Sequence, residues 1–519
     1  MEKDQKEGKM KNIMIRCNGF MKRVWKNNSF LLKPFLVILA IYLVGVSAII
    51  LSGVHYADDV ARTNYGYAEW AGFSRYISTI VSHGLHGDWY LTNIAPFPQL
   101  LAVVLFAAAS VFFVIVVVGK ECLRQKWTKW IWVMVAVVPL VLSPYMLECL
   151  SYQYDAPYMA MSVFFVIAPL LLWRKNRWAF GGAILIGILI VCMTYQAAIG
   201  VFPMLVLFIT MREWNKREMK NKEIIKFFIF SMVIFVLTMV IFQKFMMRPR
   251  EAYASNSLPG IGEFLPSLVD HLMQYFELIV GDLRLFWKIL IIIISIIFVG
   301  IFAARSKRNK IVAGTVGAVG VILMAVTTLV IYAALDRPLY APRAMYAIGA
   351  FIAVISVYVA YGEYSNIATK IPVVVLGYCF VTFALTYGNA LKEQNEFRNS
   401  RIDMVANDLN HLPEMMTEGV KTIQIDGEIG LSPVIRHMPI EDYRVLYRLM
   451  MPSFSDNVPW MEYKLTQGRW FDNIYYDPGT DLKEANLPLL KDTVLYEIYG
   501  NDEAILVKFK NDVRYDLKF

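Results

Sequence analysis

Residues 31–51 read L-L-K-P-F-L-V-I-L-A-I-Y-L-V-G-V-S-A-I-I-L and carry a single charge, Lys33, near their start. A run of about twenty apolar residues is long enough to cross the hydrocarbon core of a bilayer. The run is continuous rather than alternating, so it favours a helix over a barrel strand, the other structure that satisfies its backbone in lipid. It therefore predicts a first membrane-spanning helix.

Comparable apolar runs continue along the chain, at about 99–118, 130–143, 157–172, 178–193, 196–211, 224–245, 285–304, 311–334, 344–361 and 371–388. Of the 519 residues, 57% are hydrophobic, whereas soluble domains have about 45–50%. These patterns predict an all-α polytopic membrane protein with about eleven transmembrane helices.

Basic residues concentrate in alternate connections, within 120–129, 174–177, 212–222 and 305–310, and in the segment before residue 31. Cytoplasmic loops are enriched in Lys and Arg, so these clusters predict a cytoplasmic N-terminus. The same assignment accounts for the net charge of +9 without nucleic-acid binding. Residues 1–30 are too long and too basic for a cleaved signal peptide, so we expect the first helix to be retained.

The predicted organisation has three parts. A basic cytoplasmic tail (1–30) precedes a transmembrane domain (31–389) whose first outside loop, 52–98, is unusually long. Residues 390–519 are expected to form a small extracytoplasmic α/β domain. In it, 393–412 reads as a helix, and 420–427, 493–499 and 503–510 read as strands from their alternation. The five cysteines are scattered and suggest neither a disulfide framework nor a zinc site.

The first outside loop contains H-Y-A-D-D-V-A-R-T-N-Y-G-Y-A-E-W-A-G-F-S-R (55–75). Asp58 and Asp59 follow the first helix closely, and Arg62 lies one helical turn further on. A carboxylate at the membrane surface can act as general base toward a sugar hydroxyl, and two adjacent acids can have well-separated pKa values. The alternative interpretation is a solvated loop with surface acids. Farther along this loop, 74–85 has the pattern of a short amphipathic helix.

The same loop continues as H-G-L-H-G-D-W-Y (83–90). His83, His86 and Asp88 could hold a metal if one helical face presented them. Gly84 and Gly87 weaken that helix, so we instead expect Asp88 to shape the start of the second span. We therefore predict no metal-ligand residues and no certain cofactor. Use of a divalent cation is the alternative.

Two later outside segments carry further candidates. In E-C-L-S-Y-Q-Y-D (148–155), Glu148 and Asp155 flank tyrosines, Tyr154 among them, at the end of a helix, where acids are functional candidates. Capping of the next helix by Asp155 is the alternative. In A-L-D-R-P-L-Y-A-P-R (334–343), Arg337 and Arg343 suit a phosphate. The alternative there is an ion pair with Asp336 or contact with lipid headgroups.

The chain shows no Walker loop, no G-x-S-x-G elbow and no H-E-x-x-H motif. Their absence from the sequence argues against nucleotide-driven transport, serine hydrolysis and zincin chemistry.

Four motifs together resemble the bacterial type-II Gtr family of the GT-C glycosyltransferases, which glucosylates surface polysaccharides such as O-antigens. They are D-D-x-x-R (58–62), G-x-x-E-W-x-G-F-S-R (66–75), G-D-W-Y-x-x-N-I-A-P-F-P-Q-L (87–100) and T-Y-G-N-A-L-K-E-Q-N (386–395). The chain departs from the family where a G-R ending to the second motif is expected, since Phe73-Ser74-Arg75 stands there.

The resemblance implies a GT-C-like fold in a bacterial inner or plasma membrane. It implies transfer of glucose from undecaprenyl-phosphate glucose to a surface polysaccharide or lipid-linked glycan on the outer face, with inversion. It places the base at Asp58 or Asp59 without choosing between them. Arg343, and second Arg337, are expected to stabilise the departing phosphate. The full set of substrate-binding candidates is Arg62, Trp70, Arg75, Asp88, Tyr154, Asp155, Arg337 and Arg343.

The sequence leaves three alternative functions open. The first is a flippase or transporter of a lipid-linked sugar, although the sequence shows no internal repeat and its acids cluster at one face. The second is a related transferase that moves GlcNAc, galactose or arabinose. The third is a non-catalytic component of surface-glycan assembly.

Overall fold

The structure, a computed structural model, describes residues 28–249, 257–450, 464–465, 474–475, 481–483 and 485–510. The predicted basic tail therefore lies almost entirely outside the described residues. The α-helices are α1 Leu32–Ser52, α2 Asp58–Tyr65, α3 Tyr76–His86, α4 Phe97–Val118, α5 Trp127–Ala136, α6 Pro139–Leu142, α7 Pro144–Ser151, α8 Ala156–Ile167, α9 Arg177–Cys192, α10 Val201–Lys216, α11 Asn221–Ile241, α12 Phe264–Asp282, α13 Leu285–Ala304, α14 Lys310–Ala333, α15 Pro342–Met345, α16 Ala347–Ala360, α17 Ile367–Leu409, α18 Pro433–Arg436 and α19 Ile440–Met450.

Seven helices in the described part of the chain are long and apolar enough to cross a membrane. An eighth span results if Trp127–Leu142 and Pro144–Ser151, which meet at 62°, are counted as one bent helix. Three shorter apolar helices, Ala156–Leu172, Arg177–Cys192 and Ala347–Ala360, coincide with further predicted spans. The predicted helical membrane architecture is confirmed, while the count of eleven stays a prediction because these three helices are short.

One of the short helices lies inside the bundle. Every residue of α16 is buried, Ser356 included. A helix that is apolar all round is typical of a core position. The hydrophobic pattern predicts such a helix but does not reveal whether lipid or protein surrounds it.

The close approach of α1 and α17 depends on a glycine. A side-chain carbon at Gly388 would lie 2.4 Å from the backbone nitrogen of Ile49, so only glycine fits. Small residues of this kind let membrane helices pack backbone to backbone. This contact fixes the end of α1, from which the first loop departs.

Helix α17 has 43 residues, and at 1.5 Å per residue it is about 65 Å long. That is about twice the thickness of the hydrocarbon core. Its last turns leave the helical bundle: Ile402, Val405 and Leu409 share a hydrophobic core with the C-terminal sheet. The predicted helix 393–412 is therefore the end of a continuous helix.

The sheet has five strands: β1 Lys421–Asp426, β2 Ile474–Tyr475, β3 Leu489–Asp492, β4 Tyr496–Gly500 and β5 Ala504–Phe509. Their order is β2-β1-β5-β4-β3. Strand β1 runs parallel to β2 and β5, with Ile423 opposite Ile505, whereas β4 is antiparallel to both of its neighbours. The three predicted strands correspond to β1, β4 and β5, which confirms a small C-terminal sheet. Its extracytoplasmic location stays a prediction.

Helix α19 follows β1 in sequence but packs into the helical bundle. Its residues Val445, Leu446 and Leu449 belong to the bundle's hydrophobic core. The buried Arg448 guanidinium forms an ion pair with Asp282 at the end of α12, and the Tyr145 hydroxyl donates to the same carboxylate at 3.0 Å. A segment far along the chain thus packs against the helices of the bundle.

Candidate active site

The two adjacent acids of the first loop have opposite environments. Both lie in the first turn of α2, where the helix dipole favours negative charge. The Asp58 side chain is 60% exposed, whereas Asp59 is fully buried. Consecutive residues on a helix point about 100° apart, so one carboxylate faces outward and the other faces the protein.

Asp59 is held by backbone amides from two segments. Its Oδ2 accepts hydrogen bonds from Tyr56 N at 3.2 Å and Gln153 N at 2.7 Å, and its Oδ1 accepts one from Tyr154 N at 3.3 Å. Burial raises the pKa of Asp59 to about 8, with a contribution from the Asp155 carboxylate, while the two amides of 153–154 and the Arg62 charge oppose this rise. Asp59 thus joins the start of α2 to the segment 152–155.

Asp59→Asn is expected to destabilise the fold by about 1–3 kcal/mol, because its NH₂ group would replace an oxygen that faces N–H donors. It should also remove a pH dependence. A pKa raised in the folded state gives a contribution to stability that is complete below about pH 4 and is lost as the pH rises through about 8. Thermal unfolding of the purified protein across this range measures both effects.

Asp58→Asn is the matched control for that experiment, because its side chain is largely exposed and little stability should change. A midpoint and a pH slope in Asp59→Asn equal to those of the wild type would contradict the anchoring role.

Arg62 lies beneath the exposed acid in a largely buried cluster. Its guanidinium is 2.9 Å from Asp155 Oδ2 and 3.5 Å from Asp58 Oδ2. It stacks over the Trp70 ring at 4.3 Å, and Trp70 Nε1 donates to the other Asp155 oxygen. Burial raises the pKa of Asp155, and the Arg62 charge opposes that shift. The cluster therefore fixes a cation directly beside the Asp58 carboxylate.

Arg343 lies near Tyr152, at the start of the segment whose last residue, Asp155, binds Arg62. Its Nη1 is 2.5 Å from Glu148 Oε1, and its backbone N donates to Oε2 at 2.6 Å. Glu148 is 1% exposed and the Arg343 side chain 22% exposed. The guanidinium carbon lies 5.9 Å from the centre of the Tyr152 ring, which packs edge-on against Tyr56. Glu148 thus orients a guanidinium that still reaches the surface.

The segment 152–155 connects these parts. Tyr152 contacts Arg343, the amides of Gln153 and Tyr154 hold Asp59, and Asp155 binds Arg62. This segment therefore links an accessible carboxylate, through Arg62, to a partly accessible guanidinium. When a hydroxyl displaces a phosphate, a base can take the proton of the hydroxyl and a cation can stabilise the charge on the departing phosphate.

Two other predicted site residues, Arg75 and Tyr154, contact neighbouring side chains inside the protein. The Arg75 guanidinium is largely buried and stacks over the Tyr195 ring at 4.9 Å. The Tyr154 hydroxyl is 3.2 Å from Thr63 Oγ1, and its ring stacks on His86. Both side chains support the loop from within the protein.

Within the described residues, Asp88 and Arg337 have partners close to them in sequence. The exposed Asp88 carboxylate accepts from the backbone of Trp89 at 2.6 Å and of Tyr90 at 3.4 Å, which fits the role of shaping the chain before α4. Arg337 is 86% exposed and lies 4.0 Å from Asp336. The structure does not bring either residue into contact with the cluster around Asp58.

The His83 ring nitrogen contacts the backbone oxygen of Asp88 at 3.1 Å rather than its carboxylate. In the part of the chain that the structure describes, no group of three or more His, Cys, Asp or Glu side chains is arranged to hold a metal ion.

Sequence reasoning missed two contributions to this site. The pair Glu148–Arg343 joins residues 195 positions apart. Both residues lie near predicted helix ends, but no local sequence pattern indicates that they form a pair. The Tyr56 hydroxyl donates to the backbone oxygen of Leu449 in α19 at 2.7 Å, a contact between the first loop and a segment predicted to belong to another domain.

The chain was compared with protein-family profiles, with curated proteins and with solved structures. The profile of the family described as "Glucosyl transferase GtrII" matches residues 47–354, a range that contains both Asp58 and Arg343. A protein of Salmonella phage P22, described as an uncharacterized 55.3 kDa protein in the gtrB 5' region, is 27% identical over 110 residues. That alignment covers 21% of this chain and 21% of the phage protein. No solved structure matches the chain.

Proposed function

The chain belongs to the glucosyl transferase GtrII family, and from this premise we propose that it transfers glucose from a polyprenyl-phosphate donor to a cell-surface polysaccharide. The reaction takes place on the outer face of a bacterial inner membrane, with inversion at the anomeric carbon. The observation that carries the proposal is that segment 152–155 links the accessible Asp58 carboxylate, through Asp155 and Arg62, to the partly accessible Arg343 guanidinium. Family membership by itself supports a membrane glycosyltransferase that uses a lipid-linked donor and a glycan acceptor in general terms.

Asp58 is the general base of the proposed reaction. Its carboxylate is accessible and lies beside a fixed cation, whereas Asp59 is buried and already accepts three backbone hydrogen bonds. The acceptor hydroxyl attacks the anomeric carbon as its proton passes to Asp58. This assignment separates the two acids that the motif alone leaves equivalent.

Arg343 stabilises the departing group. As the bond between the anomeric carbon and the donor oxygen breaks, its electron pair stays on the polyprenyl phosphate, and negative charge increases there. A preorganised guanidinium lowers the energy of that charge. The phosphate leaves as a stable anion, so a single displacement with one base accounts for the reaction and inverts the anomeric centre.

The competing function is transport of a lipid-linked sugar. The bend of 62° between Trp127–Leu142 and Pro144–Ser151 favours it, because broken helices are frequent in transporters. The accessible acid beside a fixed cation favours chemistry instead, since it follows the first span in an outside loop, whereas transporters bind substrate and coupling ions near the bilayer midplane.

Deletion of the gene tests the choice between these functions. We expect the surface glycan of the deletion strain to lose one sugar from an unchanged backbone, with recovery when the wild-type chain is supplied from a plasmid. Composition and linkage analysis of the purified glycan measures this. Loss of the whole polymer from the surface would contradict a side-chain transferase and favour transport.

A further inference from the structure

A cavity of about 650 Å³ lies at the opposite end of α9 from the candidate active site. Helix α9 begins at Arg177, which lines the cavity, and ends at Cys192, close in sequence to Tyr195 beneath Arg75. A helix of 16 residues separates its ends by about 24 Å. The cavity is therefore distinct from the site built around Asp58.

Positive charge dominates the polar part of the cavity. Four basic side chains line it, those of Arg174, Lys175, Arg177 and Lys226, against the two carboxylates of Glu218 and Glu223.

The ion pairs of these cations differ in exposure. Lys226 is 3.1 Å from Glu223, and the two side chains are 66% and 53% exposed, so this pair is weak and exchanges readily. Arg174 is 2.5 Å from Glu213, whose buried carboxylate also lies 2.8 Å from Arg212. An anion in the cavity can therefore compete for the ammonium of Lys226.

Two helices also begin at this cavity. Arg177 is the first residue of α9, and Glu223 lies in the first turn of α11. Helix N-termini carry partial positive charge and favour anions. The helix dipoles thus act in the same sense as the side-chain cations, while the amides of Trp178 and Ala179 at the start of α9 donate to the Asn176 side chain.

The remaining wall is aromatic and continues onto the apolar outer surface of the bundle. Phe227 and Phe230 line the cavity, and Arg177 stacks on Phe230 at 4.5 Å. On the outside of α11, Ile225 and Ile229 are 56% and 54% exposed. In a membrane protein such residues face lipid chains, and the exposed Trp178 is of the type enriched where chains meet headgroups.

We propose that this cavity binds a phosphate group carried by an anionic phospholipid, whose acyl chains lie along the aromatic wall and the outer face of α11. Basic pockets between membrane helices suit such headgroups. The ligand stabilises the bundle at the end away from the chemistry. The proposal depends on the membrane location of the chain and not on the transferred sugar.

The test uses the full-length protein in nanodiscs of phosphatidylcholine alone or with one third phosphatidylglycerol, with thermal unfolding as the readout. We expect phosphatidylglycerol to raise the midpoint by several degrees, since a ligand that binds only the folded state stabilises it. The double variant Arg177→Gln/Lys226→Gln should lose at least half of that rise. The control Lys129→Gln, an exposed cation outside the cavity, should keep it.

Each variant is compared with itself in phosphatidylcholine, so a general loss of stability does not affect the result. Inorganic phosphate added to the phosphatidylcholine nanodiscs separates the two sources of the group. An equal, cavity-dependent rise with phosphate alone would support the phosphate site and assign it to a free anion. A rise of the same size in the double variant and the wild type, or no rise with either ligand, would overturn the proposal.

Discussion

Asp58→Asn is expected to reduce sugar transfer about 10²–10⁴-fold, because general-base catalysis contributes this much in comparable reactions. The amide cannot accept the proton of the acceptor hydroxyl. Its size is that of the carboxylate, and Arg62 keeps its ion pair with Asp155 at 2.9 Å. The exposed position of the side chain means that folding should not suffer. The measurement is the content of side-chain sugar on the purified surface polymer, normalised to the amount of protein in the membrane.

Asp59→Asn is the matched comparison, since it makes the same chemical change one residue away. We expect it to lower the amount of folded protein, with activity per folded molecule much less affected than in Asp58→Asn. Full glycosylation by Asp58→Asn would contradict the base assignment. Loss of activity per folded molecule in Asp59→Asn alone would move the base to Asp59.

Arg343→Gln is expected to lower kcat about 10²–10³-fold, the usual effect of removing one preorganised donor from a developing negative charge. The variant also leaves Glu148 buried without its cation, which costs about 3–5 kcal/mol of stability. Arg343→Lys keeps the charge but lacks the planar fork of the guanidinium, so it should recover part of kcat. Initial rates with saturating donor, normalised to the amount of folded protein, separate the change in kcat from changes in donor binding and in stability.

Arg337→Gln provides the control, because this arginine lies in the same connection but is 86% exposed and pairs with Asp336 at 4.0 Å. We expect its kcat to stay within about twofold of the wild type. An unchanged kcat in Arg343→Gln, or an equal loss in Arg337→Gln, would remove Arg343 from the proposed chemistry.

The helices of the bundle could be predicted from the sequence because their signals are local. A run such as 31–51 is apolar whatever surrounds it, and the amphipathic pattern at 74–85 corresponds to α3. The strands β1, β4 and β5 were visible for the same reason. The predicted span 130–143 ends at the break between Leu142 and Pro144, but the helix Pro144–Ser151 that follows was not predicted, because residues 148–155 were assigned to an outside segment.

The arrangement of the site could be predicted only in part. The motif identifies Asp58, Asp59 and Arg62 as candidates, but the choice between the acids depends on amides of Gln153 and Tyr154, more than ninety positions away. The orientation of Arg343 by Glu148 is likewise a long-range contact. Nor does any periodicity in α19 reveal that it packs against the bundle rather than the sheet. These features depend on tertiary packing, which a single sequence does not encode in a local pattern.

The most direct test of the central claim is transfer by the purified chain in liposomes supplied with synthetic polyprenyl-phosphate glucose and the sugar-free glycan, with the product's anomeric configuration read by NMR. We predict transfer of glucose with inversion by the wild type, and transfer at least about 100-fold slower by Asp58→Asn. No transfer by the folded wild type, a product of retained configuration, or an Asp58→Asn rate equal to that of the wild type would contradict the account.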